Sequence, residues 1–156
     1  ALLVMALAIV TGALIYGPLD RLFNTRKWIV VGGTAVTVLA FTVLAVAPLT
    51  VQGATATLAL IGCAAMTYGV IMAHGRALFP EALLGRGITF LNMLFLAGVG
   101  VLQLFSGAYM KSMLGLPPAT AYSRLHLVFA IILLVSLIIY LFSSDQKPRT
   151  TTPPSR

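Results

Sequence analysis

The stretch that decides the fold runs from Leu125 to Phe142 and reads LHLVFAIILLVSLIIYLF. Only His126, Ser136 and Tyr140 interrupt its apolar side chains. It belongs to the last of five long apolar runs, and a helix needs about 20 such residues to cross a bilayer core of about 30 Å. The sequence therefore predicts five membrane-spanning helices, at residues 1–16, 28–47, 54–74, 87–110 and 122–143.

The composition indicates that lipid rather than water is the solvent of this chain. Of its 156 residues 60% are hydrophobic and 8% are charged, and the mean hydropathy is +1.04. A soluble domain carries about 25% charged residues, because its water-facing surface must be polar. Membrane-barrel strands alternate apolar and polar residues over about 10 positions, whereas these runs are continuous. The predicted fold class is therefore all-α, a polytopic transmembrane helix bundle.

The charged residues lie mainly in the connectors between the apolar runs. Bases are concentrated in the first connector (17–27), in the third (75–86) and in the tail, whereas the opposite side holds only Lys111 and Arg124. Cytoplasmic loops of membrane proteins carry an excess of Lys and Arg. This bias predicts a multi-pass protein with a cytoplasmic C-terminus, in which residues 144–156 form a disordered polar tail.

The same pattern disfavours several classes of function. The net charge of +7 comes from dispersed bases rather than from one basic face, so we expect no nucleic-acid partner. Cys63, the one cysteine, offers neither an intrachain disulfide nor a metal-ligand spacing. A membrane enzyme would need a nucleophile, a metal cluster or an acid–base pair at membrane depth, and the runs contain no such set. We therefore predict a protein that is not an enzyme, with no catalytic residue, metal or cofactor.

Three polar residues inside the runs are candidates for a transport pathway. Asn92 and Gln103 are eleven positions apart, which places them within about 20° of each other on one helical face. Tyr68, in the third run, carries a hydroxyl that needs a partner or water. The alternatives are interhelical hydrogen bonds for the two amides and core packing for Tyr68.

The third run also predicts a close helix contact. At a constant helical pitch its small residues fall within an arc of about 80°. His74, at the end of this run, is expected to be wetted at the membrane interface rather than to relay protons. The small residues are Ala59, Gly62, Gly69 and Ala73.

Two connectors resemble loops of the major facilitator superfamily of transporters. Residues 16–28 read YGPLDRLFNTRKW, which is similar to the family's loop between helices eight and nine, where a Gly, an Asp-Arg pair and a basic cluster follow one another. Residues 74–92 read HGRALFPEALLGRGITFLN, which resembles the loop between helices ten and eleven. Asn24 stands near a position where the family often has Gly. Because Asn tolerates the left-handed conformation, we expect a tight turn there.

The resemblance implies that the five spans are helices eight to twelve, in the C-terminal half of such a transporter. The short first run, which has no basic flank before it, suggests a sequence that starts part-way along a longer protein. The resemblance also implies a cytoplasmic gating cluster in which Asp20 pairs with Arg76. Its members would be Gly17, Asp20, Arg21, Arg26, Lys27, Arg76, Glu81 and Arg86.

These observations together predict a secondary active transporter that moves a small solute by alternating access. Its setting would be the lipid bilayer of a bacterial inner membrane, and its partners would be the missing N-terminal half, the solute and a coupling ion. The alternatives are a non-transporting membrane subunit and a membrane-embedded enzyme.

Overall fold

A computed structural model describes residues 2–145, apart from the side chains of Leu2, Asp20 and Arg21. The described part is all-helical, and two short 3₁₀ turns interrupt the α-helices, at Ala65–Thr67 and Glu81–Leu83. The helices are α1 (Leu2–Leu22), α2 (Lys27–Val46), α3 (Val51–Ala64), α4 (Tyr68–Ala77), α5 (Leu84–Lys111) and α6 (Pro118–Leu141).

Four helical segments of the described chain are long and apolar enough to cross a membrane. A shorter apolar helix, at Leu3–Leu19, adds a fifth candidate. At 1.5 Å per residue, α2 alone is about 30 Å long, which matches the hydrocarbon core of a bilayer. The fold is thus that of a multi-pass membrane protein with four to five spans. The four segments are Lys27–Val46, Val51–Ala77, Glu81–Lys111 and Pro118–Leu141.

The helices alternate in direction, so alternate connectors meet at the same end of the bundle. At one end, the side chain of Arg26 donates a hydrogen bond to the carbonyl of Ala73 at 3.4 Å. Lys27 Nζ donates to the Leu141 carbonyl at 2.7 Å. The first connector, the end of α4 and the end of α6 therefore lie together, as alternating crossings of a bilayer require.

The first connector is shorter than the sequence predicts, because α1 continues to Leu22 and includes Gly17 and Pro18. The turn that follows contains Asn24 with a φ of 49°. This is the left-handed region, and Asn24 is the one residue other than Gly with a positive φ in the described chain. The prediction of a tight turn at Asn24 is confirmed.

Helix α2 is the centre of the packing. It packs most extensively against α6, and the rings of Phe41 and Phe129 meet edge to face with 5.6 Å between their centroids. On its other side the buried Gly33 faces α1 and the Ala65–Thr67 turn. A Cβ at Gly33 would lie 2.6 Å from the Tyr16 hydroxyl and would also overlap the methyl group of Thr67.

Helix α5 lies at the edge of the described bundle. Its one buried residue is Gly87, and no residue in its most apolar stretch is buried. A Cβ at Gly87 would lie 2.5 Å from the ring of Phe79, so this glycine allows the preceding turn to pack on the start of α5. Most of the helix is therefore left for lipid or for other protein to cover.

Candidate solute pocket and helix-end cluster

The third span is interrupted near its middle. Helix α3 ends at Ala64, the 3₁₀ turn Ala65–Thr67 follows, and α4 begins at Tyr68. A stretch of 3₁₀ hydrogen bonding inside a long helix often marks a hinge or local strain. In secondary transporters, substrate sites near the bilayer midplane are typically formed where a helix is interrupted, and this span departs from α-helical geometry only by that turn. The break therefore marks the position at which to look for a binding site.

Tyr68, the first residue after the break, contacts α5 through both its ring and its hydroxyl. The hydroxyl donates a hydrogen bond to Asn92 Oδ1 at 3.2 Å. Its ring lies against Phe95, with 4.4 Å between the centroids at an angle of 40°. The structure thus brings together two of the three predicted pathway residues. It also shows Asn92 making an interhelical hydrogen bond, which was the alternative role considered for that amide.

Gln103 is not part of this contact. It lies eleven residues farther along α5, or about 16 Å at 1.5 Å per residue, and it is exposed. The nearby hydroxyl of Ser106 donates to the carbonyl of Gln103 at 3.0 Å, so that hydroxyl is satisfied within its own helix. The hydroxyl of Thr89 does the same with Gly85 at 3.0 Å. Of the polar residues on this face, Asn92 alone has its side chain hydrogen-bonded to another helix in the described part of the chain.

A pocket of about 320 Å³ lies beside the Tyr68 ring, and we call it the Tyr68 pocket. It runs along α4 from the break toward the end of the helix, with α5 on one side and α6 on the other. Its walls are mainly apolar and aromatic. The lining residues are Ala65, Thr67, Tyr68, Ile71, Met72, His74, Gly75, Leu78, Leu91, Phe95, Tyr140 and Ser143.

A second cavity, of about 410 Å³, lies on the α1 side of the same helix. Tyr68 lines both cavities, and Tyr16 and Gly17 contribute to the second one. The two cavities therefore meet the third span at a shared residue, Tyr68.

The carboxylate of Asp145 forms the centre of a set of contacts at one end of the bundle, which we call the helix-end cluster (Thr25, Lys27, His74, Tyr140 and Asp145). Asp145 accepts hydrogen bonds from the Thr25 hydroxyl at 2.6 Å and from the backbone N–H of Lys27 at 3.1 Å. The backbone N–H of Arg26 also donates to it, at 3.3 Å. Partial burial would raise the pKa of this carboxyl, but these three hydrogen bonds outweigh burial and lower it.

Helix α2 has only a weak local cap, in which the Thr25 hydroxyl accepts a hydrogen bond from the backbone N–H of Trp28 at 3.4 Å. Its N-cap residue, Arg26, makes no side-chain capping hydrogen bond, and the first turn contains no acidic residue. The first N–H groups of a helix lack intrahelical partners, and the positive end of the helix dipole there is unfavourable for Arg26 and Lys27. Asp145 supplies both a negative charge and the missing acceptors from a distant part of the chain.

His74 is the buried member of the helix-end cluster. Its side chain is 3% exposed, so the expectation of a wetted interfacial residue is wrong. Nδ1 lies 2.5 Å from the Tyr140 hydroxyl and Nε2 lies 2.9 Å from the carbonyl oxygen of Ser144. Because a carbonyl can only accept, Nε2 carries a proton and donates it to Ser144, while the Tyr140 hydroxyl, which can donate or accept, is the partner of Nδ1. Burial is possible here because both ring nitrogens are satisfied.

The other members of the predicted gating cluster do not all lie at the same place in the structure. Gly17 lies inside α1, and Arg26 and Lys27 join the helix end as described. Arg76 lies in the last turn of α4, Glu81 begins the second 3₁₀ turn and Arg86 lies in the first turn of α5, and all three are exposed. The side chains of Asp20 and Arg21 lie outside the described residues, so the pairing of Asp20 with Arg76 stays a prediction.

Sequence reasoning missed Asp145 because it assigned this residue to the tail. The available signal was the start of α2, where two bases and no acid occupy positions that favour an acid. Within residues 2–145, no group of three or more His, Cys, Asp or Glu side chains is arranged to hold a metal ion. Comparison of the chain with protein-family models, with curated proteins and with solved structures gives no match.

Proposed function

We propose that this chain is part of a secondary transporter of the major facilitator type, in which the Tyr68 pocket belongs to the pathway of a small solute. The observation that carries the proposal is the broken third span, with Tyr68 at the break and hydrogen-bonded to Asn92 on α5. Apolar pockets with a few polar groups are the usual form of small-molecule sites, and transporters place them at discontinuous helices.

The packing supports a moving rather than a static bundle. Helices α2 and α6 form a closely packed unit, whereas α5 is nearly unburied and contacts α4 around the pocket. Alternating access requires one group of helices to shift against another around the solute. The 3₁₀ turn at Ala65–Thr67 is a place where α4 can tilt relative to α3 without breaking the rest of the span.

A thiol-labelling experiment on the natural full-length protein tests this proposal. In a Cys63→Ala background, a cysteine replacing Met72 in the pocket should react with a membrane-impermeant maleimide from both sides of the membrane. Leu134→Cys, on the exposed face of α6, should react from neither side. Reaction of the Met72 position from one side only, under every condition, would contradict alternating access.

A second experiment measures the flux of solutes through the purified protein. Liposomes containing the purified protein are loaded with a defined mixture of sugars, amino acids, organic acids, nucleosides and aromatic alcohols, and efflux is followed by mass spectrometry. A transporter releases one class of solute in a saturable manner, and Tyr68→Ala should abolish the release. No release beyond that of protein-free liposomes, from protein that retains its helical circular dichroism, would count against the proposal.

A further inference from the structure

We infer that the Tyr68 pocket takes an uncharged solute with an aromatic or otherwise apolar body and one hydrogen-bonding group. This inference rests on the proposed function, because it names the class of solute for the same pocket. It follows from three features: the absence of Asp, Glu, Lys and Arg from the lining, the aromatic side walls and the Tyr68 hydroxyl, whose proton is held by Asn92 behind the lining.

The first feature is the charge of the walls. Among the lining residues, all of which belong to the described part of the chain, none is Asp, Glu, Lys or Arg. His74 is the nearest ionisable base, and both of its ring nitrogens already bind Tyr140 and Ser144. A charged solute would therefore lose its hydration without gaining a partner, and that is very unfavourable at membrane depth. The pocket selects against ions.

The second feature is the shape of the walls. The rings of Tyr68 and Phe95 form one continuous aromatic surface, and Tyr140 lies at the other end of the pocket. Aromatic side chains bind planar apolar groups by stacking and edge-to-face contact. A volume of about 320 Å³ lies at the lower end of the range for small-molecule sites. A solute with one or two fused rings fits these dimensions.

The third feature is the hydrogen bond at the Tyr68 end of the pocket. Tyr68 lines the pocket and donates its proton to Asn92 Oδ1, whereas Asn92 is not itself a lining residue. With that proton donated, the Tyr68 oxygen can only accept. A hydroxyl on the solute can thus donate to Tyr68, whereas a carbonyl cannot. This gives the solute an orientation, with its polar group toward α5.

Aromatic walls also attract cations, so a cationic solute is the strongest competing class. A cation over a desolvated ring gains about 2 kcal/mol. Burying an unpaired ammonium group near the bilayer centre costs about 2.5 kcal/mol or more, even on the most permissive scale. The balance favours the neutral molecule, and the margin is small enough that the cation must be included as a test probe.

Three probes of equal size and different charge distinguish these cases: 2-naphthalenemethanol, 2-naphthoate and 2-naphthylmethylamine. Binding is measured as protection of Met72→Cys from alkylation, in the natural full-length protein with Cys63→Ala, held in lipid nanodiscs. We expect the neutral alcohol to protect at least tenfold more strongly than 2-naphthoate and at least about twofold more strongly than the amine, because stacking on the aromatic rings offsets most of the cost of burying the ammonium group. Asn92→Leu should weaken its binding about tenfold, or about 1.4 kcal/mol. Ser136→Ala, on the exposed face of α6, should leave it unchanged.

Equal or stronger protection by either ion would overturn the inference. So would a Met72→Cys that reacts freely in the presence of all three probes, because the pocket would then be open but unable to bind them. If Met72→Cys does not react at all, a lipid chain fills the pocket and the inference also fails. The assay measures binding and not transport. Protection by the alcohol without any solute flux would therefore contradict the proposed transport function but not the inferred class of ligand.

Discussion

The carboxylate of Asp145 accepts a hydrogen bond from the backbone N–H of Lys27 at 3.1 Å, although the two residues are 118 positions apart in the sequence. This contact closes one end of the bundle, because Lys27 begins α2 and Asp145 follows α6. The side chain of Lys27 adds a second hydrogen bond between the same two helix ends by donating to the Leu141 carbonyl at 2.7 Å. The two helices that pack most extensively are thus also tied together at their ends.

Removing the Asp145 carboxylate should destabilise the helical bundle. Asp145→Ala takes away the acceptor for the first N–H groups of α2, and loss of a helix N-cap costs about 1 kcal/mol. Asp145→Asn should cost less, because the amide oxygen still accepts. The free energy of unfolding, measured in detergent micelles with a graded denaturant, provides the check. Equal stability of all three proteins would show that the contact contributes nothing.

The pH dependence of stability should change with the same residue. The pKa of Asp145 is lower in the folded protein than its ordinary value of about 3.9. Its contribution is therefore fully present above that ordinary value and is lost as the pH falls through the lowered pKa. The difference in unfolding free energy between wild type and Asp145→Asn should shrink across this acid window. A difference that stays constant there would contradict the assignment.

Two adjacent glycines in α2 form a matched pair for testing the helix packing. A Cβ at Gly33 would overlap Thr67 and the Tyr16 hydroxyl, whereas a Cβ at Gly32 would meet nothing within 4 Å. Gly33→Ala should therefore lower the melting temperature, since overpacking typically costs about 1–3 kcal/mol. Gly32→Ala should leave it unchanged or raise it, because Ala favours helix over Gly by about 1 kcal/mol. The reverse order would refute the close contact.

The hydrogen bond between Tyr68 and Asn92 should appear as an energetic coupling. We expect Tyr68→Phe and Asn92→Leu to be non-additive by about 0.6 kcal/mol in unfolding free energy, the average for interhelical hydrogen bonds in a membrane bundle. A double-mutant cycle measures this directly. Replacement of the exposed Gln103 by Leu, combined with Tyr68→Phe, provides the additive control. Additivity of the first pair would place the two side chains apart.

The direction of the spans can be tested by cysteine accessibility in intact cells. In a Cys63→Ala background, Gln52→Cys in the exposed first turn of α3 should react with an impermeant reagent from outside. Phe23→Cys in the first connector should react only after permeabilisation, because the basic connectors are predicted to be cytoplasmic. Phe23 is used because its side chain is 62% exposed and lies outside the helix-end cluster. Reaction of both positions from the same side would contradict this topology.

The helical class and the position of the apolar spans were accessible from the sequence, because lipid allows few alternatives to an apolar helix of this length. The tight turn at Asn24 was accessible for a similarly local reason, since few residues adopt a positive φ. These features depend on neighbouring residues alone. They follow without knowledge of the tertiary packing.

The sequence did not correctly predict which small residues of the third span share one helical face. The prediction of one small-residue face assumed a constant pitch through Gly62 and Gly69. The 3₁₀ turn at Ala65–Thr67 contains three residues, each rotated by about 20° more than in an α-helix, so the face turns by about 60°. A Cβ at Gly62 would meet Ile9 at 3.3 Å, whereas one at Gly69 would meet nothing within 4 Å.

The candidate site was predictable only in part. Tyr68 and Asn92 were selected separately because each is polar inside an apolar run, but their contact depends on how α4 lies against α5. The role of Asp145 depends on the ends of α2 and α6 meeting, and no local pattern carries that information. Long-range contacts of this kind are determined by the packing of the whole bundle.

The distance in sequence between Lys27 and Asp145 has a consequence for biosynthesis. A ribosome adds about 5–20 residues per second, so the 118 residues from Trp28 to Asp145 take roughly 6–24 s to make. During that time the N–H groups of Arg26 and Lys27 lack their Asp145 acceptor, and the start of α2 has only its local contact with the Thr25 hydroxyl. The nascent chain therefore holds two bases at a weakly capped helix end until α6 has been synthesised, and only then can Asp145 bind there.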